Sequence, residues 1–365
     1  METSNPSPGR SPNSSAQPVE NRIVVQTSSA PVGPWGRVII GLLSFALMIA
    51  ILGNVNQWAR YQSYFQDDLP IQEKFHSGDK EATSKIAIIE VEGGILKGDG
   101  YVKQQIDAVK QDKNVQAVVL RINSPGGTVT ASDYLFHHLK QLQKERSIPL
   151  VVSMGSLCAS GGYYVAMAVG DQPNGIYAEP TTWTGSIGVI IPHFDASGLL
   201  ERFDVKDDSI ASHRFKEMGS PTRKLNEEER AEERALLQAL VDESFAGFKD
   251  VVRYGRPALR EDDMKLDQVA TGQVFTANQA LTHGLIDKIG FIEDAIDRAR
   301  ELASLPKDKV RVVKYDRPPA LVDALLGAET RLAPRGWTVT DLVDLTAPRA
   351  YYLSTWLPAV VSSSR

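Results

Sequence analysis

From Lys85 onward the sequence repeats one pattern: a short apolar run, a turn rich in glycine, then a stretch whose apolar residues recur at helical spacing. Such alternation commits a chain to an α/β domain, because the two periods cannot be exchanged without exposing one apolar face. Lys85 to Val91 and Gln116 to Ile122 read as strands, with a helix between them carrying Val102, Ile106 and Val109. Leu135, Leu139 and Leu142 mark the next helix, Pro149 to Ser153 a third strand, and residues 158–170 a helix of small residues. Further strands are expected near 175–179 and 187–191. A long helix from Asn226 to Arg253 places Leu236, Leu240, Phe248 and Val252 on one face, and its opening glutamates suit the positive end of the helix dipole.

The 365 residues do not belong to this pattern throughout. Residues 1–36 hold six prolines and seven serines, too polar and too broken to bury a core, and read as a disordered tail. Residues 37–55, with the nearly uncharged run from Val38 to Val55, are long enough to cross about 30 Å of hydrocarbon as one helix. The long leader and the lack of a small-x-small site after Val55 favour an uncleaved anchor over a signal peptide. Arg10, Arg22 and Arg37 before the span tilt the residues that follow it toward the outer, periplasmic face of a cell membrane. A polar stalk is expected over 56–84, the α/β domain over 85–305 and an extension over 306–365. A net charge of -5 with no long basic run argues against nucleic acid as a partner. One cysteine, Cys158, excludes an internal disulfide framework and any thiolate-rich metal site.

Three stretches carry chemistry. Arg121-Ile-Asn-Ser-Pro-Gly-Gly127 runs from a strand into a turn without side chains, where a substrate backbone can approach free amides able to hold an oxyanion. Met154 to Tyr164 sets Ser160 between a strand and a helix start, which makes it the candidate nucleophile. Lys216 lies just before a break into a helical segment; a lysine made neutral by burial can serve a serine as base. His213 is the alternative base, and a rate governed only by a group titrating near 6.5 would point to it, whereas a lysine base predicts activity rising with pH. Taken singly, each stretch also has a bland reading as a turn, a close helix contact or a solvated charge.

In this order, and behind an anchor, they resemble the signal peptide peptidase A family of membrane-anchored serine proteases. The carriers are Ile122-Asn-Ser-Pro-Gly-Gly127, Ala159-Ser-Gly-Gly-Tyr-Tyr164, Thr184-Gly-Ser-Ile-Gly-Val-Ile190, Lys216 with Ser220-Pro221, and Gly272-Gln-Val-Phe through Gly284-Leu-Ile-Asp287. The resemblance covers Ile86 to Ala295 and implies a Clp protease/crotonase-like fold of repeated ββα units. It further implies Ser160 as nucleophile, Lys216 as general base and Ser186 as the serine that orients the lysine. The oxyanion donors it implies are the Gly161 amide and one of the Gly126 and Gly127 amides. The implied substrates are remnant signal peptides and other hydrophobic peptides, cut without metal or other cofactor. The implied assembly is a homo-oligomeric ring in which serine and lysine can come from neighbouring subunits. Two other readings are a non-catalytic membrane scaffold that keeps the fold and a crotonase-type acyl-CoA enzyme. Cys158 and Trp183 depart from the family pattern, and both are expected to fill the core.

Overall fold

The computed structural model describes residues 71–316 and 351–353, together with scattered residues of the apolar run between 35 and 54. Those scattered residues are helical and exposed; among the described residues no helix is long and apolar enough to cross a membrane. The rest of the expected span, nearly all of the tail, residues 55–70 of the stalk and most of the C-terminal extension lie outside the described residues. Contacts divide the chain into two compact units, residues 1–66 and 67–365, and every strand belongs to the second.

This unit is a mixed α/β fold around a largely parallel sheet. Its strands are β1 (Gln72–Gly78), β2 (Lys85–Glu92), β3 (Val115–Ser124), β5 (Leu150–Ala159), β6 (Ile176–Ala178), β9 (Lys288–Ile289) and β10 (Arg311–Asp316), in spatial order β1-β10-β2-β3-β5-β6-β9. Every neighbouring pair along that path is parallel except β1 with β10. β7 (Trp183–Gly185) extends the upper half of β5 in parallel and pairs antiparallel with β8 (Val274–Thr276). β4 (Gly126–Thr128) leaves the main sheet and pairs with β11 (Tyr351–Leu353).

The apolar runs are nearly continuous because both faces of the central strands are covered. Ala87, Ile89, Val118 and Leu120 face a core completed by α1 (Tyr101–Gln111), α2 (Val129–Arg146) and α3 (Gly161–Ala166). Their sequence neighbours Ile86, Ile88, Ala117 and Val119 face the opposite side, where Ala295 and Ala299 of the helix Ile292–Leu302 cover them. The period of two along a strand thus sorts one apolar run into two cores.

The structure moves several expected boundaries. β1 and β10 pair with each other, and β10 with β2, so 72–84 and 306–316 belong to the α/β unit rather than to stalk and extension. Lys85 closes that joint, donating to Glu73 at 2.6 Å and Asp112 at 2.9 Å from a position 9% exposed. The strand expected at 187–191 lies earlier, at Trp183–Gly185, because the ladder with β5 ends where Gly185 (φ 85°) and Ser186 (φ 52°) leave extended geometry. Trp183 is no core residue: it is 44% exposed, since the alternation on β7 turns Thr184 inward instead. The long helix runs from Glu227 to Gly255 behind an Asn226 capping box, but its apolar side chains are buried only in its second half. Phe248 and Val252 are buried, whereas Leu236 and Leu240 stay exposed.

Candidate active site

β5 ends at Ala159, paired with Gly185 of β7, and the next residue on each strand is a serine. Both serines adopt a backbone conformation that side-chain-bearing residues rarely take, φ 53° at Ser160 and φ 52° at Ser186. Non-glycine residues in such regions cost on the order of 1–3 kcal/mol and persist where their surroundings over-determine them. Here the determinants are visible: the Ser160 N–H donates to the Gly185 carbonyl at 2.8 Å, its carbonyl accepts from Tyr164 at 2.9 Å, and the Ser186 N–H donates to Gln273 at 2.7 Å.

Ser160 is 1% exposed, and its Oγ has no hydrogen-bond partner among the described residues. Leaving a buried hydroxyl unpaired costs about 1–3 kcal/mol, so the residue is held ready for a group that arrives from elsewhere. The Pro-Gly-Gly turn packs directly against it. A Cβ on Gly161 would stand 2.4 Å from Ser132 Oγ and 3.0 Å from the Gly127 nitrogen, while one on Gly126 would meet the Gly161 nitrogen at 2.6 Å and Ser160 Cβ at 3.1 Å. Only glycine lets these two backbones come together.

The two candidate amides of the turn are not equivalent. The Gly126 N–H is spent on Ser124 Oγ at 3.1 Å. Ile95 takes the groups on either side of Gly127, donating to the Gly126 carbonyl at 2.8 Å and accepting from Thr128 at 2.9 Å. Backbone groups alternate sides along a strand, so the Gly127 N–H points the other way, into the cleft beside Ser160.

Lys216 sits exposed on the short 3-10 turn Arg214–Glu217, and no hydrogen bond joins it to Ser160. His213 immediately before the turn is likewise exposed. Within one chain the structure therefore brings together Ser160, Gly161, Gly126, Gly127 and the strand that leads into Ser186, with no hydrogen bond from either candidate base to the Ser160 hydroxyl. Cys158 is fully buried two residues before Ser160, and burial pushes its thiol well above the ordinary range, so it is a filler and not a competing thiolate.

Two residues with no distinguishing mark in the sequence anchor the lysine-bearing segment. Glu233, 5% exposed on the long helix, accepts from Arg223 Nη1 at 2.7 Å and from the Gly219 N–H at 3.3 Å. The same Arg223 nitrogen donates to the Arg214 carbonyl at 3.0 Å. The turn around Lys216 is thereby tied at both ends to one buried carboxylate. Glu233→Ala is expected to strand the Arg223 guanidinium, destabilise this segment by about 2 kcal/mol and open it to limited proteolysis. Unchanged cleavage kinetics at residues 206–224 would show that the tie does not hold the segment.

Comparison with known proteins supports the same region. Residues 142–306 match the family described as Peptidase family S49. The chain is 39% identical over 262 residues to "Putative protease slr0021" of Synechocystis, covering 72% of this chain and 88% of that protein. It is 33% identical to "Serine protease SPPA, chloroplastic" of Arabidopsis thaliana, over 71% of this chain and 39% of that one. It is 36% identical to "Putative signal peptide peptidase SppA" of Enterococcus faecium, over 58% of each. The chain thus spans most of the cyanobacterial protein but well under two thirds of the other two.

Proposed function

Because this chain belongs to peptidase family S49, the signal peptide peptidase A family of serine proteases, we propose that it cuts peptides with Ser160 as nucleophile and Lys216 as general base. The observation that carries the proposal is the Ser160 hydroxyl: buried, unpartnered among the described residues, on a strained turn and flanked by two glycine amides. Neutral Lys216 takes the hydroxyl proton as Oγ bonds to the substrate carbonyl carbon. The negative charge that moves onto the carbonyl oxygen is held by the Gly127 and Gly161 N–H groups, with Gly126 supplying the open space rather than a donor. Collapse expels the amine, which takes the proton from the lysine, and water then releases the acyl group from Ser160. Ser186, one residue beyond the strand pair, orients the lysine. No step calls for a metal or nucleotide.

An exposed lysine with no hydrogen bond to the serine of its own chain fits an assembly in which a neighbouring copy supplies it. Phe194, Phe203 and Ile210, at 77%, 72% and 102% exposure, lie in the stretch leading to Lys216 and leave large apolar side chains available to such a contact. The proposed assembly is therefore a homo-oligomeric ring. The run from Val38 to Val55 anchors it in the cell membrane, and its ββα repeats are of the Clp protease/crotonase kind. Hydrophobic peptides in or near the membrane, remnant signal peptides among them, are the proposed substrates. The test compares wild type, Ser160→Ala and Lys216→Ala as full chains on a fluorogenic hydrophobic peptide. Loss of cleavage in both variants is expected; wild-type rates in both would remove the dyad.

A further inference from the structure

The turn that carries Gly126 and Gly127 is clamped by the short loop that follows β2. That loop passes through Gly93 (φ 69°) and runs beside the turn as far as Ile95, which bridges to Gly127. Four hydrogen bonds join loop and turn. The Gly93 N–H donates to the Asn123 carbonyl at 3.0 Å, the Ile95 N–H to the Gly126 carbonyl at 2.8 Å and the Thr128 N–H to the Ile95 carbonyl at 2.9 Å. The fourth comes from a side chain, Ser124 Oγ donating to the Gly93 carbonyl at 2.6 Å. The backbone bonds are indifferent to side-chain identity. Ser124 is therefore the position in this clamp at which the residue type decides how it closes.

The same hydroxyl holds the turn from inside. Its single proton is committed to Gly93, so toward Gly126 the oxygen can only accept, and the Gly126 N–H donates to it at 3.1 Å. Ser124 and Gly126 thus close a local turn around Pro125, which has no N–H of its own to offer. Gly126 is held at φ 100°, a conformation open to glycine. The next peptide follows from this. Its carbonyl, on Gly126, points to Ile95, and across a trans peptide the Gly127 N–H points the opposite way. Gly161 lies close by, since a Cβ on it would stand 3.0 Å from the Gly127 nitrogen. Ser124 is fully buried, and its Cβ is 3.3 Å from where a Cβ on Gly162 would stand, so the start of α3 packs on it as well. One buried serine therefore sits between the loop, the turn that carries one proposed oxyanion donor and the helix start that carries the other.

We infer that Ser124 is a positioning residue for the oxyanion site: by engaging the Gly126 N–H it keeps that amide out of the cleft and holds the Gly127 N–H in it, beside that of Gly161. This role rests on Ser160 being the nucleophile. Without the hydroxyl, the Gly126 N–H and the Gly93 carbonyl lose their buried partner, and the Pro125–Gly126 peptide can rotate until its N–H competes with that of Gly127. The donors meet charge that develops only as the carbonyl is attacked, so the loss falls on kcat rather than on KM.

The test compares full-length wild type, Ser124→Ala, Ser124→Thr and Ser153→Ala in detergent micelles on a fluorogenic hydrophobic peptide. Ser124→Ala is expected to lower kcat at least about tenfold while KM stays within about twofold. A peptide boronic acid closes onto a serine Oγ as a tetrahedral adduct with an oxygen in the oxyanion position, and its affinity should fall by the same factor. Ser124→Thr keeps the hydroxyl and should restore most of both. Ser124→Cys, which weakens both bonds at nearly the same volume, serves if the alanine variant fails to fold. Ser153 is a buried serine on β5 whose hydroxyl accepts from Arg121 Nη1 at 2.9 Å, away from the turn. Ser153→Ala should lower the melting temperature and yet keep the wild-type kcat and boronate affinity, which separates positioning from a general loss of packing. Wild-type kcat and boronate affinity in Ser124→Ala, a change confined to KM, or an equal fall in Ser153→Ala overturns the inference. So does a Ser124→Thr chain that melts no lower than Ser124→Ala and is equally slow. If the unsubstituted chain neither cleaves the peptide nor binds the boronate, the peptidase reading falls and the role of Ser124 with it, an outcome told apart because it appears without any substitution.

Discussion

Chains carrying Ser160→Ala and chains carrying Lys216→Ala, each silent when produced alone, are expected to regain activity when co-expressed. Each single variant should fall by at least about 10³-fold, because a serine without a base and a base without a nucleophile both remove the covalent step. In a heterologous ring every site joins the serine of one subunit to the lysine of the next. Random mixing in equal amounts then leaves both groups intact in roughly a quarter of the sites, so about 25% of wild-type activity should return. The observations behind this are that Ser160 Oγ is buried without a partner among the described residues and that Lys216 is exposed on a turn held by Glu233 and Arg223. A silent mixture, with co-assembly shown by differently tagged chains, would place both groups of each site in one subunit. Segment 206–224 would then have to fold back over the cleft, against the tie to Glu233. The measurement is the steady-state rate of co-purified hetero-oligomers on a fluorogenic peptide.

How far the sequence discloses an element depends on where its residues stand in the sheet. Ile86 to Ile89 and Val118 to Leu120 are buried on both faces, so their composition alone marks them as strands. β1 could not be seen in the same way. Gln-Glu-Lys-Phe-His-Ser-Gly is an antiparallel edge strand, exposed along most of its length, and it is specified by its ladder to β10 rather than by any apolar run. The candidate site divides likewise. Ser160 and the two glycine turns were legible because a strained turn and a close backbone approach restrict the residue types that fit. The choice between Gly126 and Gly127 was not, since it depends on the Ser124 hydroxyl and the Ile95 bridge, which come from elsewhere in the fold. Glu233 was hidden for a related reason: in sequence it is one more glutamate on an acidic helix, and only its 5% exposure and its hold on Arg223 set it apart.

Substituting the two glycines of the turn by alanine is expected to separate catalysis from folding. Gly126 has φ 100°, and its added methyl would stand 2.1 Å from the Tyr352 oxygen and 2.6 Å from the Gly161 nitrogen. The first of these belongs to the three-residue strand β11, which lies outside the main sheet; the second is a proposed oxyanion donor. Gly126→Ala should therefore keep the sheet at a cost of about 1–3 kcal/mol in backbone strain, while the methyl occupies the place of the reacting carbonyl. Loss of one such donor alone lowers kcat by about 10²–10³, and that is the fall expected here, with the melting temperature reduced by only a few degrees. At Gly127 the methyl would instead meet the Ile95 oxygen at 2.0 Å and the Ile95 carbonyl carbon at 2.4 Å, both backbone atoms in a strand bridge. Nothing there can swing aside, so Gly127→Ala should unfold the turn and lower the yield of folded protein. A Gly126→Ala chain that cleaves at the wild-type rate would mean that the carbonyl under attack lies elsewhere, and with it the assignment of Gly161 and Gly127 would fall. Equal melting temperatures for the two variants would mean that the Ile95 bridge does not fix the turn.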